Sequence, residues 1–346
     1  MKNIFVAFSF LLLLYSCTNK EDFVLESRSN LKEIKEQKVV EIKLEAEASY
    51  SDAELSGLAW YKNYLILLPQ FPYKFGDGLN GAIFYLPKQK IKRYISSKNH
   101  KPLRPKKLSI DATGLDKFNR LGSGYEGVIF NKDTVYFVLE NYKEETEGFI
   151  VRGTIDFPNK KIKLNENSLK KIRIKNHLPN LSEETITYFY GELFTIHEIN
   201  GINVNSNPVA AKFNRDLSTQ TLINFPHLEY RVTDATAVAA DSTFWAINYF
   251  WKGDTNQLKP QSDLLLEKFG IGKTHKNRYS VERLIKMKIT PDAVKLVDEP
   301  PIYLELPPNT PSRNWEGIAK LDDLGFLIVT DKFPYTILGF VKYPLN

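Results

Sequence analysis

Five places in this chain of 346 residues carry an oxygen-bearing side chain just before a small residue and an apolar run. The aligned side chains are those of Ser56, Glu126, Glu184, Thr236 and Glu316. They include neither Cys nor His, and hard oxygen ligands suit Ca²⁺ or Mg²⁺ better than zinc or copper. Three carboxylates held close together would repel one another, and a bound cation would remove that conflict. The predicted cofactor is Ca²⁺, because Mg²⁺ demands a stricter octahedron than a five-membered ring readily supplies.

Short apolar runs separated by turn residues surround each copy and predict the strands that would position these side chains. In the first copy the runs fall at residues 57–61, 64–68, 82–86 and 91–95, and the next two copies repeat this order. The fourth copy opens at residues 237–239 and carries a long polar insertion, at about 253–280. Four antiparallel strands per repeat are typical of a propeller blade.

The predicted fold class is therefore all-β, a five-bladed β-propeller. A six-bladed ring with one degenerate blade is the alternative, because some spacings between copies are long. The last copy has only three apolar runs, and a strand at residues 39–44 precedes the first copy. We expect this N-terminal strand to supply the missing outer strand and so to close the ring.

The first residues predict export and lipid anchoring rather than a part of the fold. Lys2, the apolar run 4–15 and Cys17 indicate a lipoprotein signal peptide over residues 1–16, cleaved before a lipidated Cys17. Residues 17–36 predict a flexible tether, whose start resembles the lysine-and-acid export signal of bacterial surface lipoproteins, and residues 37–346 the propeller domain. The expected location is the cell envelope, anchored to the outer membrane and exposed on its surface.

Composition argues against a nucleic-acid partner and against a disulfide in the domain. The chain has 47 Lys and Arg against 41 Asp and Glu, a formal charge of +6 that is mild for this length. It contains no dense basic cluster, so we expect no nucleic-acid partner. Cys17 is the only cysteine, which excludes a disulfide in the domain. We expect a monomer whose partners are the membrane and a small molecule.

In a propeller the start of each first strand and the end of each second strand meet at one face. Polar and cationic residues near these points predict a rim that binds a phosphorylated small molecule or a glycan. The predicted ligand-binding residues are Arg120, Lys143, Arg231, Asn248, Lys252, Arg313 and Lys332. Glu140 and Asp331 lie at the same strand ends and are the candidate general bases of a catalytic site.

The series of five oxygen ligands resembles the central calcium site of the calcium-activated nucleotidase (apyrase) family, whose propeller blades offer Ser, Glu, Glu, Ser and Glu. The glycine-flanked openings at Ser56 and Glu316 are also similar to phytase-like and other extracytoplasmic propellers. The resemblance implies a five-bladed fold and a Ca²⁺ site, with Thr236 in place of the fourth serine. The nucleotide-contacting residues of that family have no clear match here.

Two functions follow as hypotheses. One is a surface module that binds an anionic or glycan ligand on the rim, with calcium in a structural role. The other is a Ca²⁺-dependent hydrolase of phosphate esters or nucleotides, in which the metal polarises the substrate. Propellers serve both uses, so the fold alone does not decide between them.

Overall fold

The computed structural model describes residue 28 and residues 30–76, 81–98, 100–118, 123–142, 146–174, 181–310 and 312–344. About half of these residues are in strands, of which the first two are β1 (Glu33–Ile34) and β2 (Val39–Ile42). Short 3₁₀ turns lie between strands, at Glu47–Ser49, Ser51–Ala53, Pro72–Phe75, Asp116–Phe118, Glu166–Ser168, Lys252–Asp254 and Lys273–His275. None of the helices within the described residues is long and apolar enough to cross a membrane.

Sheets one and two follow in chain order. Sheet one consists of β3 (Leu55–Tyr61), β4 (Tyr64–Pro69), β5 (Gly81–Pro87) and β6 (Lys106–Asp111). Helix α1 (Lys88–Ser96) lies between β5 and β6. Sheet two consists of β7 (Ser123–Asn131), β8 (Thr134–Tyr142), β9 (Thr146–Asp156) and β10 (Lys161–Leu164), with β11 (Lys170–Lys171) paired to β9. The outer strands β6 and β10 pair in parallel and join the two sheets.

The expected fourth strand of the first copy, at residues 91–95, is wrong because these residues belong to helix α1. Ile91 and Tyr94 are buried and stand three residues apart, the spacing of one helix face. The outer strand is instead β6, whose buried Leu108 and Ile110 alternate with exposed residues. Helical spacing in an apolar run was therefore the signal that separated helix from strand.

Sheets three, four and five complete the described fold. Sheet three contains β12 (Glu183–Phe189), β13 (Glu192–His197), β15 (Val209–Asn214) and β16 (Gln220–Asn224). Sheet four contains β17 (Leu228–Ala235), β18 (Thr243–Phe250), β20 (Val281–Ile289) and β21 (Val294–Leu296), with β14 (Ile199–Asn200) and β22 (Ile302–Tyr303) paired to it. Its insertion holds α2 (Thr255–Leu258), α3 (Leu264–Phe269) and β19 (Ile271–Gly272). Sheet five contains β23 (Trp315–Leu321), β24 (Gly325–Thr330) and β25 (Leu338–Lys342), and β2 completes it.

The first strands of the five sheets contact one another in a closed ring. In ring order these inner strands are β3, β7, β12, β17 and β23, and β23 contacts β3 again. Apolar clusters fill the spaces between successive sheets; one of them includes Leu68 of sheet one together with Phe137 and Val151 of sheet two. Antiparallel sheets set around a central ring of inner strands, with apolar packing between them, define a propeller-type fold.

The N-terminal strand closes the last sheet as expected. β2 pairs antiparallel with β25, with Val39 opposite Val341 and Ile42 opposite Leu338. Residues 33–36, assigned to the tether from sequence, also contact the fold, because β1 pairs in parallel with β19. Glu36 then accepts hydrogen bonds from the backbone and hydroxyl of Thr274.

Candidate functional site

Each inner strand contains a β-bulge, which lies near the strand's start in β3, β7, β12 and β23. In β3, Leu55 pairs with Pro69 and Gly57 with Leu68, so Ser56 is the extra residue of the bulge. Equivalent shifts in β7, β12 and β23 make the bulged residues Glu126, Glu184 and Glu316. A bulge re-aims the side chain that it carries. All four of these side chains line one central cavity.

The bulge of β17 lies earlier than the sequence repeat suggested. Val232 pairs with Asn248 and Ala235 with Ala246, so the irregularity lies between Val232 and Ala235. Thr233 and Asp234 lie between these paired residues, and Thr233 stands one position after Val232, as Ser56 stands one position after Leu55 in β3.

Hydrogen bonds confirm this register. The hydroxyl of Ser56 donates to the carbonyl of Tyr125 on the next inner strand at 2.5 Å. The hydroxyl of Thr233 donates in the same way to the carbonyl of Trp315 at 2.6 Å. Thr236, which the sequence predicted as the fourth ligand, instead accepts from the backbone N–H of Trp245 at 3.0 Å. The fourth member of the series is therefore Thr233, because pairing across the strands decides the register.

Three equivalent positions of the five sheets surround the cavity. The first is the bulged residue itself. The second stands two residues earlier in the chain, on the inner strand or immediately before it. It is occupied by Glu54, Gly124, Ser182, Arg231 and Asn314. The third lies at the end of each second strand and is occupied by Gln70, Glu140, Glu198, Tyr249 and Asp331. Most of these side chains line the cavity, so the two kinds of strand end do meet at one face.

The cavity has a volume of about 560 Å³ and is rich in carboxyl groups. Glu126 lies on its wall, and both carboxylate oxygens accept from the amide of Gln70 at 3.1 and 3.3 Å. Gly124 leaves room for this pair, since a Cβ there would lie 2.4 Å from Oε1 of Glu126. Trp251 and Phe333 also line the cavity and are half exposed, at 51% and 57%.

Arg231 is a cation placed inside this acidic cavity. Its Nε donates to the fully buried carboxylate of Glu198. Its Nη2 lies 3.4 Å from Oε1 of Glu184 and 3.8 Å from Oε1 of Glu316. Its Nη1 lies 4.0 Å from Asp254. The guanidinium is thus surrounded by carboxylates on several sides, and the side chain is only 18% exposed.

Burial changes the protonation of these groups. Burial raises the pKa of Glu126 well above its usual value, and nearby Glu140 raises it further. Burial raises the pKa of Glu140 to about 7 and that of Glu316 to about 8, although Arg231 opposes the shift at Glu316. Burial alone would lower the pKa of Arg231, but the carboxylates, Glu198 first, raise it well above its usual range. At neutral pH the arginine is charged while several carboxyls of the cavity retain protons.

The other predicted rim residues are placed differently. Lys332 lines the cavity and pairs with Glu54 at 2.7 Å, and the candidate bases Glu140 and Asp331 also line it. Arg313 is buried, its guanidinium pairs with Glu282 at 2.8 Å, and it does not line the cavity. Because Arg313 is paired with a buried carboxylate, its guanidinium is not available to a ligand at the rim.

Two further predicted rim residues, Asn248 and Lys252, do not line the cavity. Asn248 is fully buried, where it bonds backbone carbonyls and accepts from Arg283. Lys252 is exposed, with its ammonium 4.9 Å from the ring centre of Tyr279. Arg120, Lys143 and the lipidation site Cys17 lie outside the described residues.

The described residues fit the predicted calcium ring poorly. Among them no group of three or more His, Cys, Asp or Glu side chains is arranged to hold a metal ion. Thr236 does not reach the cavity, and the guanidinium of Arg231 lies beside Glu184 and Glu316. A Ca²⁺ ion shared by these two glutamates would have to displace that guanidinium. The oxygen-only donor set suits calcium, but the guanidinium of Arg231 occupies the space beside Glu184 and Glu316.

A propeller-type fold with an acidic central cavity is therefore the class that structure and site define. No family model matches the chain, and no curated protein matches it. Among solved structures it is similar to a glucose dehydrogenase, at 10% identity and a TM-score of 0.47, over 89% of this chain and 99% of that one. It is also similar to the soluble aldose sugar dehydrogenase of Escherichia coli in its apo form, at 10% identity and a TM-score of 0.41, over 88% of this chain and 99% of that one.

A third similar structure is a bifunctional GH43-CE protein of Bacteroides eggerthii, at 8% identity and a TM-score of 0.44. That match covers 89% of this chain but 35% of the other. At identities this low the likeness concerns the general fold and carries no information on substrate.

Proposed function

We propose that this chain is a five-bladed propeller lipoprotein of the cell envelope that binds a hydroxyl-rich small molecule, a sugar or short glycan, in its central cavity. The observation that carries the proposal is the lining of that cavity, where buried carboxyl groups and amides face a mouth with half-exposed aromatic rings. Its volume of about 560 Å³ lies within the range of small-molecule sites, about 300–1,000 Å³.

The blade count is supported by the topology. Five sheets, each with at least four strands, surround one ring, and β2 supplies the outer strand of the fifth. The anchor is supported by the sequence, which places an apolar run before Cys17.

Carboxyl groups suit hydroxyl ligands in either protonation state. An ionised carboxylate accepts from two hydroxyls, and a protonated one can also donate. Glu140 and Glu316, with pKa values raised to about 7 and about 8, make both kinds of group available near neutral pH. Hydrogen bonds to ionised groups are worth about 1.5–3 kcal/mol each. Amide and hydroxyl groups of Gln70, Ser123 and Asn314 add further polar partners.

Aromatic side chains at the mouth suit the apolar face of a sugar ring. Trp251 and Phe333 are half exposed at the cavity, and Tyr249 lies deeper. Large rings offer contact area at low entropic cost. A phosphorylated ligand is disfavoured, because its charge would face carboxyl groups while Arg231 is already paired with Glu198 and Glu184. Of the two ligand classes that the rim hypothesis allowed, this proposal keeps the glycan and drops the anion.

Binding to the intact protein tests the proposal. Calorimetric titration with neutral mono- and oligosaccharides, amino sugars, uronic acids, nucleotides and phytate should detect binding among the neutral sugars. Trp251→Ala should weaken that binding. Tyr190→Ala is the matched control, because Tyr190 is 83% exposed in the turn between β12 and β13, at the opposite end of the inner strands. Binding of nucleotides or phytate without any binding of neutral sugars would contradict the proposal.

A second candidate is hydrolysis of the bound molecule by acid–base catalysis. Glu140 favours it, because it lines the cavity, has a pKa raised by burial to about 7, and accepts from Ser182 at 2.8 Å. A group with that pKa can donate a proton near neutral pH, and Asp331 lies in the same cavity as a base. Glu140→Gln should then abolish turnover while it preserves sugar binding. Equal turnover in the variant would exclude Glu140 as the acid.

A further inference from the structure

We propose that Arg231 is the resident cation of the central cavity, held in the position where the sequence predicted Ca²⁺, and that the cavity works without a metal. The inference does not depend on which ligand the cavity binds. It explains how one narrow ring can hold several glutamates. It also explains why one of the five sheets contributes an arginine at a position where the others contribute Glu54, Gly124, Ser182 and Asn314.

The geometry carries the argument. Arg231 projects from β17, the inner strand whose bulged residue is Thr233 rather than a carboxylate. Its guanidinium has carboxylate oxygens of Glu184, Glu316 and Asp254 within 4.0 Å, in addition to its bond with Glu198. A planar guanidinium can serve several carboxylates at once, because its five N–H donors point in different directions.

Other polar side chains of the inner strands have hydrogen-bond partners of their own. Ser56 and Thr233 donate their hydroxyl hydrogens to backbone carbonyls of the next strand, which leaves the oxygen lone pairs free, so these hydroxyls do not decide between a guanidinium and a metal. Glu126 is engaged by the amide of Gln70. Glu184 and Glu316, which a shared calcium would need, face the guanidinium instead, so Arg231 supplies the positive charge itself.

The test compares calcium binding by the full wild-type chain with that of two Arg231 variants. Wild type, purified and treated with EGTA, should show no calcium-dependent rise in melting temperature and no bound calcium by elemental analysis. Arg231→Gln removes the charge and opens the acidic position, so it should bind Ca²⁺ at least about tenfold more tightly than wild type, since a unit charge about 4 Å away is worth more than one decade of affinity. Arg231→Lys keeps the charge and should remain insensitive to calcium. Arg104→Gln is the control for loss of a surface charge, because Arg104 is exposed and pairs only with exposed Glu45 among the pairs that the structure describes.

Each outcome of the calcium measurements either supports or overturns the proposal. A folded Arg231→Gln with no gain in calcium affinity would overturn the proposal. If that variant does not fold, calcium binding by wild type and by Glu184→Gln decides. A saturable calcium response in wild type that Glu184→Gln abolishes would also overturn the proposal. No calcium response in wild type would support the proposal. Sugar titrations in EGTA test the proposed function separately. A failure to bind sugars would leave the calcium result unchanged.

Discussion

Two equivalent glycines on neighbouring inner strands allow the ring to be tested by one added methyl group. Gly127 follows the bulged Glu126, and Gly57 follows the bulged Ser56. A Cβ at Gly127 would lie 2.6 Å from the backbone oxygen of Glu184 on the next inner strand. At Gly57 the closest atoms are 3.5 Å away, which is ordinary van der Waals contact. The ring geometry therefore predicts opposite responses to the same substitution.

The magnitudes follow from packing and chain entropy. Forcing a methyl group against a fixed backbone costs about 1–3 kcal/mol. Alanine in place of glycine regains about 0.4–1 kcal/mol by restricting the unfolded chain, provided that the native backbone is compatible. Neither glycine has a positive φ, so the second effect applies to both. We expect Gly127→Ala to lose about 1–2 kcal/mol of unfolding free energy, and Gly57→Ala to be neutral or to gain up to about 1 kcal/mol.

Urea denaturation of the two variants and wild type measures these differences. Midpoints should separate while the m-values stay equal, because the surface exposed on unfolding is unchanged. The melting temperature of Gly127→Ala should fall by about 2–8 °C, at roughly 2–4 °C per kcal/mol for a domain of this class. Equal midpoints for the two variants, or a Gly57→Ala less stable than Gly127→Ala, would refute the close approach of β7 to β12.

Three other predictions concern pH, closure and anchoring. Burial raises the pKa of Glu183 to about 8 from an ordinary 4.5, so the folded state binds more protons than the unfolded state in that window, and stability should fall as pH rises through it. Glu183→Gln should flatten this fall by up to about 1.4 kcal/mol per pH unit in urea titrations, and an unchanged slope would contradict it. Removal of residues through Leu44 should cause aggregation because it exposes the edge of β25, whereas removal through Lys32 should not; equal solubility would refute closure by β2. Cys17→Ser should move the protein from the detergent-extracted membrane fraction to the soluble fraction, and retention in membranes would exclude lipidation there.

Local sequence patterns predicted much of the fold. Alternating apolar residues bounded by turn residues located most strands of the described sheets, because side-chain period and turn chemistry are local properties. The missing outer strand of the last sheet was also predictable, since a strand pattern at the N-terminus had no partner in the first copy, and β2 indeed pairs with β25. The face where strand ends meet followed from antiparallel connectivity alone.

The sequence was less informative where two elements share a composition. The run that contains Ile91 and Tyr94 is apolar enough for a strand, but its spacing places both on one side of a helix. The motif Ala235-Thr236-Ala237 resembles the other copies, while the true bulge at Thr233 is followed by Asp234 instead of a small residue. The buried carboxylate of Asp234 accepts a hydrogen bond from the backbone N–H of Ile318 at 2.8 Å. This contact lies between residues far apart in the chain, so no local pattern shows why an aspartate stands where the other copies have a small residue.

The sequence alone predicted that oxygen-bearing side chains converge on one centre, because each copy of the repeat is recognised from residues that are adjacent in the chain. Only the tertiary structure decided which of the cations joins them. Arg231 and Arg313 look alike in sequence, yet one lies among the carboxylates of the cavity and the other is buried against Glu282. The reason is geometric: a one-residue shift in strand pairing turns a side chain to the opposite face of a sheet, and that shift is set by contacts between strands that lie far apart in the chain.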